Sequence, residues 1–117
     1  MKLIILNINP YKEKDAIILA FNNEESVTFN ARGILNANSK NVILNNPLIE
    51  AEVIFAEGKS KHHSLKNASL IFSPYSANDS LEKLSVISII QECTYKILQE
   101  EELPLIYSEL IKVLKAL

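Results

Sequence analysis

The apolar residues of this chain change their spacing at Ser73-Pro74. Before that point they alternate with polar residues or run together in short blocks; after it they recur every three or four positions. A half-buried strand repeats with a period of two and a helix with one of 3.6. The chain is therefore expected to build strands first and helices second, an α+β arrangement with its two parts segregated.

Five strands are predicted. Residues 3–8 are an apolar stretch bounded by the turn signal Asn9-Pro10. Residues 16–21 are β-rich and connect through Asn22-Asn23-Glu24-Glu25, a polar link of hairpin length, to residues 26–31. There Val27 and Phe29 share one face, Thr28 and Asn30 the other. Gly33 follows, suited to a positive φ or a bulge. Residues 34–46 are Asn-rich without a period and read as a long loop. Residues 48–56 alternate again, with Glu50 and Glu52 expected to face water, and Glu57-Gly58-Lys59 reads as a hairpin tip. Residues 65–72 form the last strand.

Two helices follow. Asp79 with Glu82 makes a capping-box-like start, and Leu81, Leu84, Ile87, Ile90, Thr94, Ile97 and Leu98 repeat at helical spacing. Pro104 fits the first turn of the second helix, whose stripe is Ile106, Leu110, Val113, Leu114 and Leu117. The expected fold is a small closed five-stranded β-barrel over residues 1–75 with two helices over 76–117. The final residue, Leu117, is an apolar member of that stripe, which reads as the start of a helical domain cut from a longer protein.

Bulk properties narrow the function. A chain of 117 residues, 48% apolar and 22% charged, is about one ordinary globular domain. Its first residues carry too short an apolar run for a signal peptide or membrane span, so the cytoplasm, with no membrane association, is expected. One cysteine, Cys93, excludes an internal disulfide and a cysteine-based zinc site; a buried, inert thiol is expected there. The net charge of −2 is unevenly divided: residues 1–75 carry eight Lys/Arg against seven Asp/Glu, and residues 76–117 carry four against seven. A nucleic acid would bind the first part. No Gly-rich phosphate loop, His-based metal motif or Gly-x-Ser-x-Gly elbow is present, so no enzymatic activity and no cofactor are expected. His62 and His63 are adjacent on a strand and point to opposite faces, which disfavours a shared metal ion.

The order of several short segments resembles the N-terminal OB-fold domain of the RecO family of recombination mediators. Tyr11-Lys12-Glu13-Lys14-Asp15 looks like the family's Tyr-x-Glu-x-Asp segment between its first two strands. Ala31-Arg32-Gly33 followed by Ser39-Lys40 resembles its Ala-Lys-Gly segment and its Ser-Lys or Ser-Arg pair. Leu44, Pro47, Leu48 and Glu50, then Leu65-Lys66-Asn67-Ala68, then Asp79, Leu81, Glu82, Leu84 and Glu92, match further family segments in order. The sequence departs from the family after Gly33, where Ile34, Leu35, Asn36, Ala37 and Asn38 stand in usually basic places. The resemblance implies a non-enzymatic DNA-repair protein. Such a protein binds single- and double-stranded DNA, anneals complementary strands and helps load recombinase onto DNA coated by single-strand-binding protein. It does so with a RecR-like partner.

An OB barrel holds single strands by a basic groove and by aromatic faces that stack bases. Arg32 and Lys40 are the leading phosphate candidates. Lys12 and Lys14 beside Tyr11, and Lys59 and Lys61 on the hairpin between the last two strands, complete the expected DNA-binding set. Tyr11 could instead cap the barrel end, and each lysine could be a solvated surface charge. Phe21, Phe29, Phe55 and Phe72 are expected in the core. Depletion of basic residues after Gly33 keeps an alternative open, a protein-interaction OB module with little DNA affinity of its own.

Overall fold

The computed structural model describes residues 1–11, 13–34, 46–56, 63–76, 79–98 and 103–117. Its strands are β1 (Lys2–Tyr11), β2 (Asp15–Phe21), β3 (Ser26–Ala31), β4 (Glu50–Phe55) and β5 (His63–Phe72). Two helices follow, α1 (Leu81–Ile97) and α2 (Leu103–Ala116). The strands close into a barrel in the order β1-β2-β3-β5-β4. Four ladders are antiparallel, and β3 meets β5 in parallel through Phe29↔His63 and Asn30↔Ser64. This is the five-stranded OB-like barrel with helices attached that the spacing predicts.

Leu3-Ile4-Ile5-Leu6 explains why the helices stay on the barrel. All four side chains are fully buried. Successive strand residues point to opposite faces, so Leu3 and Ile5 fill the barrel interior while Ile4 and Leu6 face outward. An apolar outer face must be covered, and Ile87 of α1 with Leu110 and Leu114 of α2 cover it. Fully burying each such side chain contributes about 1.5–3 kcal/mol. Inside the barrel Phe29 and Phe55 meet edge-on with centroids 5.2 Å apart. Phe21 and Phe29 are fully buried, and Phe55 and Phe72 pack partly buried against the two cores.

Several local details differ from the sequence-based expectation. Asn9-Pro10 does not end the first strand, which pairs with β2 as far as Tyr11↔Asp15. β4 partners β1 only over Lys2–Ile4, with two further backbone bonds at Ile5, so the rest of β1 has an edge outside that ladder, where a proline is tolerated. A bulge between Ile5 and Asn7 leaves the Leu6 carbonyl to accept from Gln91 Nε2 of α1 at 2.7 Å. The cap of α1 is Ser80 instead of Asp79: its hydroxyl accepts from the Lys83 N–H at 3.1 Å. Asp79 binds the Ser76 N–H and hydroxyl and the Lys83 ammonium.

Glu50 does not face water. It is 9% exposed and accepts the Tyr107 hydroxyl of α2, because the helix covers the face that local alternation assigns to solvent. Glu52, on the same face, meets the N-terminal ammonium at 2.9 Å. Cys93 is exposed, which corrects the expected buried thiol: α1 is turned so that Ile87 and Thr94 are its buried residues. Leu81, Leu84 and Ile97 of the expected stripe stand in solvent for the same reason. Leu48 has φ 62, uncommon for a bulky residue, yet is fully buried. Its N–H donates to Ile5 O, and the Tyr75 hydroxyl holds the neighbouring Pro47 carbonyl at 2.8 Å. The hairpin tip expected at Glu57-Gly58-Lys59 lies outside the described residues, as does all but Ile34 and Asn46 of the loop expected at 34–46.

Candidate nucleic-acid interface

One end of the barrel gathers the turn between β1 and β2 and the segment leaving β3. Tyr11 stands opposite Asp15, and Ala16 opposite Ala31, so the three strand ends lie side by side. Gly33 has φ +67, the left-handed backbone that only glycine adopts without strain, and a Cβ there would meet no atom within 4 Å. The chain thus turns sharply after Arg32, and the Gly33 N–H donates to Asp15 Oδ1 at 2.7 Å. This bond fixes the Arg32–Gly33 corner to the β1–β2 turn. The sequence marks Asp15 only as the last residue of the Tyr-x-Glu-x-Asp segment; its place at the start of β2, facing Gly33, is evident only once β2 and β3 are paired.

Tyr11, Lys14 and Arg32 of the expected DNA-binding set fall on this rim, and all three are exposed. Tyr11 keeps 47% of its surface exposed, enough for one ring face to meet a flat ligand. Arg32 and Lys14 carry their charge into solvent beside Glu13 and Asp15, and Asp15 is engaged by the Gly33 amide. Lys12, Lys40, Lys59 and Lys61 lie outside the described residues, as do His62 and the side chain of His63. Among the described residues no group of three His, Cys, Asp or Glu could hold a metal ion.

The outer face of β2 and β3 runs away from this rim. Val27, Phe29 and Ala31 point into the barrel, so Thr28 and Asn30 are set on the outside, and Arg32, just past the strand, is exposed. Ile17, Asn30 and Ser64 form one row across β2, β3 and β5. Asn30 Oδ1 is buried and has no hydrogen-bond partner among the described residues. The sequence set Asn30 on the face opposite Phe29 but held no signal that its oxygen lacks a partner among the described residues. β5 begins beside β3, with His63 opposite Phe29 and Ser64 opposite Asn30. In OB barrels the β2–β3 face and the β1–β2 and β4–β5 loops are the surfaces that take oligonucleotides.

No family model and no curated protein matches this sequence. Among the described residues no helix is long and apolar enough to cross a membrane.

Proposed function

We propose that this chain is the DNA-binding OB module of a RecO-like recombination mediator, acting by binding and annealing DNA and by loading recombinase with a RecR-like partner. The observation that carries the DNA-binding part is the Asp15–Gly33 hydrogen bond, which gathers Tyr11, Lys14 and Arg32 on one rim of an OB-type barrel. Cations supply phosphate contacts, the tyrosine ring supplies stacking area, and neither breaks a covalent bond. The role in recombination rests on the resemblance of the Tyr11–Asp15, Ala31–Gly33 and Ser39-Lys40 segments. Fluorescence anisotropy of a labelled single-stranded oligonucleotide at two salt concentrations tests the reading. Affinity should fall steeply with salt and fall further in the Lys14→Glu, Arg32→Glu variant. Absence of binding at low salt removes the DNA role.

A second reading, a protein-interaction module, draws on a different observation. A groove of about 510 Å³ between α1 and α2 is lined mainly by apolar side chains, and Ile89 and Leu105 on it are 61% and 59% exposed. Apolar area of that kind suits a protein partner better than a phosphate backbone. The two readings separate if the Lys14→Glu, Arg32→Glu variant keeps its partner and loses DNA.

A further inference from the structure

Lys2 opens β1 on the same outward face as Ile4 and Leu6, the face that the helices cover. On α2, Ser108, Lys112 and Lys115 are spaced four and three residues apart and so share one stripe of the helix. Together with Lys2, Tyr107 and Ile111 they line a cleft of about 400 Å³ between α2 and the barrel. A second hollow of about 490 Å³, bounded by Met1, Asn22, Asn23 and Glu24, shares Lys2 and Tyr107 with it.

Three lysines therefore line one hollow. The carboxylate in its lining, Glu50, is buried and already accepts the Tyr107 hydroxyl. Lys112 lies 3.5 Å from Glu109, but both side chains are largely exposed, and such a pair holds its partners weakly. Lys115 sits 6.0 Å above the Phe72 ring, a contact that leaves its ammonium able to take an anion. Lysines act as flexible point charges that suit phosphate oxygens, whether on a backbone diester with one negative charge or on a free phosphate with close to two.

We propose that this cleft is a phosphate-binding site, in which Lys2, Lys112 and Lys115 neutralise the phosphoryl oxygens and Ser108 supplies a hydroxyl. It is separate from the Tyr11 rim: Lys2 and Tyr11 are the two ends of β1, about 30 Å apart along a strand of that length. The phosphoryl group can belong to a nucleic-acid backbone or to a free phosphate, and the two sources are separable by experiment. The site does not depend on the function proposed above, because its geometry involves none of the rim residues.

The test is a series of amide nitrogen–proton spectra of the whole chain, titrated with inorganic pyrophosphate and, as control, with sodium chloride at equal ionic strength. Saturable shifts at Lys2 and along residues 107–115 are expected with pyrophosphate alone. Lys112→Gln, Lys115→Gln should weaken that binding about tenfold, and Lys2→Gln on the opposite wall should weaken it too. Shifts that fail to saturate, that chloride reproduces, or that survive all three substitutions overturn the proposal. A parallel titration with a thymidine homopolymer identifies the source. Shifts in the cleft that pyrophosphate reverses assign it to nucleic acid, whereas a cleft moved by pyrophosphate alone is a site for free phosphate. Shifts at Tyr11, Lys14 and Arg32 report on the rim independently, so either reading can fail while the other stands.

Discussion

The Tyr107 hydroxyl donates a hydrogen bond to Oε2 of Glu50, tying the second helix to the fourth strand across 57 residues of chain. The same tyrosine meets Phe21 edge-on, with ring centroids 6.4 Å apart. A carboxylate that is 9% exposed and a phenol on the covering helix are therefore mutually satisfied where the barrel and helices join. This junction is both the edge of the Lys2 cleft and a contact that holds α2 against β2 and β4 of the barrel.

Removing the donor alone should be costly. Tyr107→Phe keeps the ring against Phe21 but leaves the Glu50 carboxylate buried without its partner. Hydrogen bonds to charged groups contribute about 1.5–3 kcal/mol, and that loss is expected in the free energy of urea unfolding at pH 7. A loss below about 0.5 kcal/mol, the range of ordinary surface changes, would mean that water solvates Glu50.

The same bond predicts how stability responds to alkali. Burial, together with the hydrogen bond to Glu50 and its negative charge, pushes the Tyr107 phenol from 10.0 up to about 12. The folded state thus holds this proton more tightly than the unfolded chain. Its contribution is complete below pH 10 and is lost as pH rises through 12. Unfolding midpoints measured from pH 9 to 12 should fall more steeply for the wild type than for Tyr107→Phe. Tyr75, whose phenol is also raised by burial and by Asp79, remains in both proteins and cancels in the comparison. Parallel curves would remove Tyr107 as the titrating group.

How much of this was legible beforehand follows from the range of each signal. Alternation within residues 26–31 put Val27 and Phe29 on one face and Thr28 and Asn30 on the other, and the structure turns the first pair into the barrel. Gly33 was read as suited to a positive φ or a bulge, and it takes a positive φ. Glu50 was misassigned because strand alternation says only which residues share a face, and a helix more than fifty residues later decides whether that face is wet. The clue lay in β1: four consecutive apolar residues, Leu3 to Leu6, mean that both faces are covered. Cys93 was misassigned for a related reason. Apolar residues at Val86, Ile89 and Ile97 compete with Ile87, Ile90 and Thr94, so periodicity alone does not choose which side of α1 is buried. Of the rim, Arg32 and Lys14 were visible as charges, but the Asp15–Gly33 bond that brings them together depends on β2–β3 register.

The Asp15–Gly33 bond separates a built rim from a diffuse surface charge. Asp15→Ala removes the acceptor for the Gly33 N–H and should cost about 1 kcal/mol in unfolding free energy, with Asp15→Asn closer to wild type because it keeps the oxygen. On DNA the two pictures diverge. If net charge alone governed binding, deleting an acid beside Arg32 would tighten it; if geometry governs, Asp15→Ala should bind an oligonucleotide more weakly than Asp15→Asn. Anisotropy titrations of both variants at one salt concentration decide between them.

At the start of α1 the acid side can be examined in the same way. Hydrogen bonds from Lys83 and from the Ser76 hydroxyl and amide hold the Asp79 carboxyl down at about 2, against 3.8 ordinarily. A carboxylate depressed on folding contributes stability that is present above 3.8 and is lost as pH falls through 2. Between pH 5 and pH 2 the wild type should lose more urea resistance than Asp79→Asn, which cannot titrate. An equal loss in the two proteins would place the acid sensitivity elsewhere in the chain.

Cys93 offers the most direct check on how α1 is turned. Its thiol is exposed on the wall of the groove between the helices, four residues from Ile89 and Ile97. An aromatic disulfide reagent should therefore modify it fully in the native protein, at a rate that does not change when mild urea increases local opening. Reaction that proceeds only through unfolding would slow sharply in stabilising conditions and track the unfolding equilibrium instead. Cys93→Ser should change the unfolding free energy by no more than about 0.5 kcal/mol, as expected for a surface position. A protected thiol, or a serine variant that loses several times that amount, would require α1 to be rotated so that Cys93 replaces Thr94 against the barrel.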